Sequence, residues 1–173
     1  MKKLFLLLMP LMLLAACENG PKTYRFQDIV FDYPDNYQIK SEDIDGDRCE
    51  LWLVRDGDNF MYLDLDMWEQ ELLDELTEEE LSDGLVEDAY NLYALDLDDE
   101  DMDFDDDQTT VDVDDDGIIV AYGGTHSGDP FYCVITNRMY DNYEVTTRSE
   151  ATNKEILAEM SAIVKSIRLE PKK

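Results

Sequence analysis

The chain ends in an amphipathic helix, predicted by the stretch TNKEILAEMSAIVKSI at residues 152–167. Thr152 as N-cap and Glu155 three residues later form a capping-box pattern, which satisfies free N–H groups at the start of a helix. The apolar residues that follow recur at helical spacing and share one stripe: Ile156, Leu157, Met160, Ile163, Val164 and Ile167. A helix with one apolar stripe buries it against another layer of structure, so the preceding chain is expected to supply a sheet.

The segments before this helix alternate apolar and polar residues with the period of two that is typical of strands. Cys49, Leu51 and Leu53 share one face of a predicted strand, and a turn at residues 56–59 leads to a second strand over residues 60–68. These two strands predict a hairpin. Further strands are predicted at residues 23–31, 38–40, 111–113, 118–122, 131–136 and 143–148, with an acidic loop at 41–47.

A second helix is predicted in the middle of the chain. Thr77 and Glu80 repeat the capping-box pattern, and apolar residues at helical spacing extend the helix over residues 78–95. An acidic run at 95–107 follows it. Strands, a helix, more strands and a closing helix predict one α+β domain over residues 23–170, with an antiparallel β-sheet flanked by helices. The 173 residues suffice for one domain of ordinary size.

The first sixteen residues have the features of a signal peptide. A basic start at Lys2 and Lys3 precedes a 13-residue apolar run, which is too short to span a bilayer. The end of the run, Leu14-Ala15-Ala16-Cys17, resembles the lipobox of bacterial lipoproteins. That resemblance implies cleavage before Cys17, acylation of its thiol and amine, and a tether over residues 17–22. An ordinary cleaved signal peptide is the alternative.

The order of the elements carries a second resemblance. A strand ends in Phe31-Asp32-Tyr33-Pro34-Asp35-Asn36-Tyr37, a helix precedes paired strands, and the chain closes with a helix ending in Ser166-Ile167-Arg168. Together these features resemble the PsbP-like superfamily. The resemblance implies an α/β/α sandwich that serves mostly as a binding scaffold, without shared catalytic residues.

The charge is concentrated in one part of the chain. The net charge is −29, and residues 41–116 contain 32 of the 43 acidic residues with only two basic ones, Arg48 and Arg55. This acidity excludes nucleic acid as a partner, because phosphates would be repelled. The acidic half is either a solvated face that keeps the protein soluble or a surface that binds cations or a basic protein partner.

One acidic segment, Asp112-Val113-Asp114-Asp115-Asp116-Gly117, matches the first half of an EF-hand calcium loop. The complete motif fails, because a loop of this kind needs a bidentate Glu at position twelve, where Gly123 stands. A looser calcium turn with Asp112, Asp114 and Asp116 as ligands remains the alternative, and no other cofactor is expected.

Cys49 and Cys133 are the two thiols besides Cys17, and each lies on the apolar face of a predicted strand. In an exported protein they are expected to form a disulfide bond, with two buried free thiols as the alternative. The one histidine, His126, belongs to no catalytic motif. We therefore expect a non-catalytic, membrane-anchored module of the cell envelope with its domain outside the cytoplasm, or alternatively a cation-binding module that uses residues 98–116.

Overall fold

An eight-stranded antiparallel sheet is the central layer of the computed structural model, which describes residues 20–114 and 117–171. Its strand order is β3-β4-β5-β10-β9-β8-β6, and β7 also pairs with β8. A small second sheet has the order β1-β2-β11. The strands are β1 Lys22–Phe26, β2 Ile29–Tyr33, β3 Gln38–Asp45, β4 Arg48–Asp56, β5 Asn59–Met67, β6 Met102–Phe104, β7 Thr110–Asp114, β8 Gly117–His126, β9 Asp129–Tyr140, β10 Tyr143–Ala151 and β11 Arg168–Leu169. The helices are α1 Gln70–Glu75, α2 Glu78–Leu97 and α3 Lys154–Lys165.

The larger core lies on the face of the central sheet that α3 covers, which we call the α3 face. Leu51, Leu63 and Leu65 point from β4 and β5 into this core and are fully buried. Met160 of α3 and Phe31 of the small sheet pack against the same cluster. The period of two along the strands and the period of 3.6 along α3 thus bring their apolar sides together.

The opposite face, which we call the α2 face, has its own smaller core. Ala89 of α2 packs there against Val120 of β8 and Ile135 of β9, all fully buried. With α2 on one face and α3 on the other, the structure is an α/β/α sandwich. The α+β class and the flanked antiparallel sheet expected from the sequence are confirmed.

Both long helices begin near the predicted positions, with one difference in capping. Thr77 caps α2 in a complete capping box with Glu80, as predicted. At α3 the N-cap is Asn153 and not Thr152, since the Asn153 side chain accepts hydrogen bonds from the N–H groups of Glu155 and Ile156. Thr152 is one residue outside the helix, and its N–H donates to Asn59 instead.

Tertiary pairing changes two of the predicted strand boundaries. The prediction of an acidic loop at 41–47 is wrong, because β3 continues to Asp45 by pairing with β4. All eight residues of β3 are exposed, so its carboxylates remain in water at the edge of the sheet. The single strand expected at 23–31 is a hairpin of β1 and β2, which turns at Gln27 with φ of 52°.

The central sheet continues past residue 122, where the predicted strand over 118–122 ends. β8 runs on to His126, and β6 from the acidic run pairs with its end. A Cβ atom on Gly124 would clash with the backbone carbonyl of Asp103, so glycine permits this close approach. Among the residues described, none of the helices is long and apolar enough to cross a membrane.

Candidate functional site

A groove of about 430 Å³ lies between α2 and the strands β4, β5 and β10, on the α2 face. Four of its lining residues are carboxylates: Asp64 and Asp66 from β5, Asp88 from α2 and Glu144 from β10. Arg48 of β4 is the one cation among the described lining residues. We call this site the acidic groove.

The carboxylate of Glu144 forms the floor of the acidic groove and is held from both sides. Asn137 donates to one of its oxygens over 2.7 Å, and the Trp68 indole donates to the other over 3.1 Å. Burial raises the pKa of Glu144 above its ordinary value, although the Asn137 hydrogen bond acts in the opposite direction. The Glu144 side chain is therefore held in one position, and its carboxylate has little contact with water.

Strand geometry brings Asp64 and Asp66 to the same wall, because residues two apart share one face of a strand. Arg48 donates to Asp64 over 2.9 Å through its Nε atom, so this pair is largely neutralised. Burial and then the charge of Asp64 raise the pKa of Asp66. Asp66, together with Asp88 across the groove, thus presents negative charge that a ligand cation would stabilise.

An aromatic row lies beside the acidic groove on the same face. The Trp52 ring is 5.2 Å from the Phe60 ring and 5.4 Å from the Tyr62 ring, measured between centroids. Trp52 is 38% exposed, and Tyr62 also lines the groove. Exposed aromatic rings beside carboxylates offer π faces to which the alkyl stems and charged heads of Lys and Arg bind.

A buried ionic cluster joins α2 to the sheet. Arg148 of β10 donates to both carboxylate oxygens of Asp96 on α2, over 2.9 and 3.0 Å, and to Glu150 over 2.8 Å. The Tyr122 hydroxyl also donates to Asp96. This cluster holds the C-terminal part of α2 against the sheet, next to the groove residue Leu95.

Three candidate metal ligands converge at the end of β8. One ligand atom from each of Asp99, Asp101 and His126 lies within 4.8 Å of the others. The Asp101 carbonyl accepts a hydrogen bond from the N–H of Ser127, over 2.8 Å, which holds the acidic segment against β8. Two carboxylates and one imidazole at this spacing are able to ligate a divalent transition metal ion.

The calcium ligands expected from the sequence lie in a β-hairpin. Asp112 and Asp114 belong to β7, where they pair with Ile119 and Gly117 of β8. Asp116, like Cys17, lies outside the described residues. Extended backbone does not wrap around an ion as a calcium loop does.

The expected disulfide bond between Cys49 and Cys133 is wrong, because both thiols are free and buried. Cys49 lies on β4 and Cys133 on β9, three strand spacings apart in the sheet. Neighbouring strands are about 4.8 Å apart, which separates the two residues by roughly 14 Å or more, whereas a disulfide bond requires Cα atoms within about 7 Å. They also point to opposite faces, since Cys49 belongs to the α3-side core and Cys133 to the α2-side core.

The sequence does not predict the acidic groove as a site, although it does indicate the polar face of one of the strands that form it. Tyr62, Asp64 and Asp66 alternate with Met61, Leu63 and Leu65, so one face of β5 is visibly polar and aromatic. The contributions of Asp88 and Glu144 depend on how α2 and β10 pack, and no local pattern indicates them.

Comparison with known proteins supports the fold. No family model and no curated protein matches the chain. The solution structure of cyanobacterial PsbP (CyanoP) from Synechocystis matches with a TM-score of 0.56 at 8% sequence identity, covering 90% of this chain and 96% of that one. A crystal structure from Bacteroides thetaiotaomicron matches with a TM-score of 0.48 at 8% identity, over 89% of this chain and 50% of that one. The fold is similar to that of cyanobacterial PsbP, in agreement with the resemblance that the order of the elements indicated.

Proposed function

We propose that this protein is a non-catalytic accessory module of the cell envelope that binds a basic protein partner through the acidic groove and the aromatic row. The observation that carries the proposal is a concave surface lined by the carboxylates of Asp66 and Asp88. The exposed Trp52 lies beside this surface, in ring contact with the lining residue Tyr62. The structural likeness to cyanobacterial PsbP, together with the resemblance to a superfamily that serves mostly as binding scaffolds, supports a role without catalysis.

The chemistry of the groove favours Lys and Arg side chains over free metal ions. The groove combines carboxylates for the charged head with Tyr62 and Leu95 for the alkyl stem, and Trp52 lies next to Tyr62 at its edge. Peptide side chains that are cationic at the tip and apolar along the stem fit such a lining. The surrounding negative charge would also accelerate the encounter with a basic partner.

The test uses a ten-residue peptide of Lys, Arg and Gly, titrated into the full chain at 0.15 M salt while Trp fluorescence is recorded. Any protein with net charge −29 attracts polycations, so two variants of equal charge are compared. The groove variant is Asp66→Asn/Asp88→Asn, and the control is Asp103→Asn/Asp106→Asn on the exposed acidic run.

The groove variant is expected to weaken binding by about three- to tenfold, since each lost contact contributes up to about 1 kcal/mol. The control is expected to change affinity by less than about twofold, because its charges lie outside the groove and are screened. Equal weakening by both variants would show that only total charge matters and would overturn the proposal.

We further propose that the domain is tethered to a membrane by acyl chains on Cys17, after removal of residues 1–16. The lipobox residues support this, because more than one acyl chain gives stable anchoring. Metabolic labelling of bacterial cells with a palmitate analogue is expected to label the wild-type chain and not Cys17→Ala. Labelling of the variant, or wild-type protein found only in the soluble fraction, would contradict the anchor.

A second candidate function is the binding of a divalent cation in the 98–116 region. The convergence of Asp99, Asp101 and His126 favours it. A thermal melt with calcium, magnesium, zinc and matched monovalent salt tests this candidate. A shift of several degrees with one divalent ion alone supports a specific site, while equal shifts with every salt indicate screening of self-repulsion.

A further inference from the structure

A second groove lies on the other side of the molecule, between α3 and the part of the α3 face formed by β8 and β9. Its volume is about 510 Å³, within the range of small-molecule sites. We call it the α3 groove. It exists because α3 directs Met160 and Ile163 toward β4, β5 and β10, which leaves the far side of the helix facing uncovered strands.

The walls of the α3 groove are largely apolar. Ile119 of β8, Val134 of β9 and Val164 of α3 line it, and all three are only partly buried. The hydroxyl residues Thr136 and Ser149 lie at its floor and are almost fully buried. An elongated hydrocarbon chain would cover the apolar walls, and each methylene removed from water contributes about 0.8 kcal/mol.

The charge of the α3 groove is opposite to that of the protein as a whole. Its charged lining residues among those described are Arg138 of β9 and Lys165 at the end of α3, and none is acidic. Arg138 already interacts with another group of the protein, so Lys165 is the main cation that the groove presents to a ligand. Asp112 is in register with Ile119 but is not part of the lining.

We propose that the α3 groove binds a single-chain amphiphile with a carboxylate head, that is, a fatty acid. The apolar walls take the hydrocarbon chain, and Lys165 takes the carboxylate. Charge complementarity selects the head group, because a cationic head would be repelled by Lys165 and a neutral head would gain no ionic contact. The α3 groove is separate from the acidic groove, so fatty-acid binding here does not depend on the proposed binding of a basic partner.

Calorimetric titration of dodecanoate, below its micelle concentration, into the full chain tests the proposal. Three variants are compared: Lys165→Gln at the groove, Lys154→Gln as the matched control on the same helix, and Ser161→Leu to fill the groove. Lys154 lies over the Tyr132 ring, 5.2 Å from its centroid, outside the α3 groove. The apolar run at residues 4–16 is present in every variant, so its contribution cancels.

The wild-type chain is expected to bind dodecanoate saturably with one site, and dodecanol at least tenfold more weakly. Lys165→Gln is expected to weaken dodecanoate binding about three- to tenfold and to leave dodecanol binding unchanged. Lys154→Gln is expected to bind as the wild type does, and Ser161→Leu to lose saturable binding.

Equal affinity for dodecanoate and dodecanol, equal effects of the two lysine variants, or no saturable binding would each overturn the proposal. Circular dichroism shows whether Ser161→Leu folds. If it does not, the comparison of Lys165→Gln with Lys154→Gln still tests the proposal, because both lysines are exposed surface residues of α3.

Discussion

Replacing Arg148 by Met removes the one cation of the ionic cluster between α2 and the sheet. Its side chain is 18% exposed, and those of Asp96 and Glu150 are 11% and 14% exposed. The substitution keeps most of the side-chain volume but leaves the buried Asp96 and the partly buried Glu150 without a counter-charge. Breaking a buried ion pair in this way costs about 3–5 kcal/mol.

A loss of 3–5 kcal/mol corresponds to a decrease in Tm of about 6–20 °C for a domain of this size. Arg25→Met is the matched control, because Arg25 pairs with Glu170 at the surface, where the two side chains are 36% and 46% exposed. An exposed pair contributes about 0–1 kcal/mol, so this control is expected to lower Tm by only a few degrees at most. Thermal unfolding measured by circular dichroism gives the Tm of each variant, and urea unfolding gives its free energy of unfolding.

The pH dependence of the Arg148→Met variant separates lost charge pairing from lost packing. Burial already raises the pKa of Glu150, while Arg148 lowers it. Without Arg148 the pKa of Glu150 in the folded protein rises further, so the folded state binds more protons than the unfolded state. The difference in stability between variant and wild type is therefore expected to shrink as the pH falls from 7 to about 5.

Adding Glu150→Gln to Arg148→Met is expected to recover part of the lost stability, because one uncompensated charge is then absent. A loss below about 1 kcal/mol for Arg148→Met, or a loss that is independent of pH, would refute the view that this cluster holds α2 on the sheet through charge.

Three further outcomes are expected. The Tm of the wild-type chain increases as the pH falls from 7 to about 5, because burial raises the pKa of Glu144 and of Glu150 in the folded state. Thermal melts in a series of buffers measure this change. A decrease in Tm over this interval would contradict the burial of the two carboxylates. Thr77→Ala lowers the free energy of unfolding by about 1 kcal/mol, because the capping box is lost. Urea denaturation measures the loss, with Ser82→Ala as the control. An unchanged midpoint of urea unfolding would show that the start of α2 is frayed. Peptide mapping of the oxidised chain finds Cys49 and Cys133 unlinked, and both thiols resist labelling until the protein is denatured; a peptide linking the two would refute the strand order.

The sequence by itself determined the elements whose signal is local. The capping box at Thr77 and the apolar stripe from Ile156 to Ile167 predict α2 and α3, because propensity, capping and periodicity agree within each segment. The alternation in β4 and β5 likewise predicts the central hairpin and its buried face. From these elements and their order, the α+β class and the likeness to a PsbP-like sandwich followed.

Features that depend on pairing between distant segments were decided by the tertiary structure. β3 is a strand because β4 offers a partner for its backbone, although its own acidic residues favour a loop. Thr152 loses the N-cap role to Asn153 because Asn59, far away in the sequence, accepts its N–H.

The sites depend on the same long-range arrangement. Two cysteines on apolar strand faces look alike in the sequence, yet strand order and the side of the sheet place Cys49 and Cys133 in different cores. The acidic groove joins Asp66, Asp88 and Glu144 from three elements, and the α3 groove arises where α3 leaves two strands uncovered. Composition and periodicity report which side chains face inward or outward within one element, whereas a site is formed by the relative placement of several elements, which only packing determines.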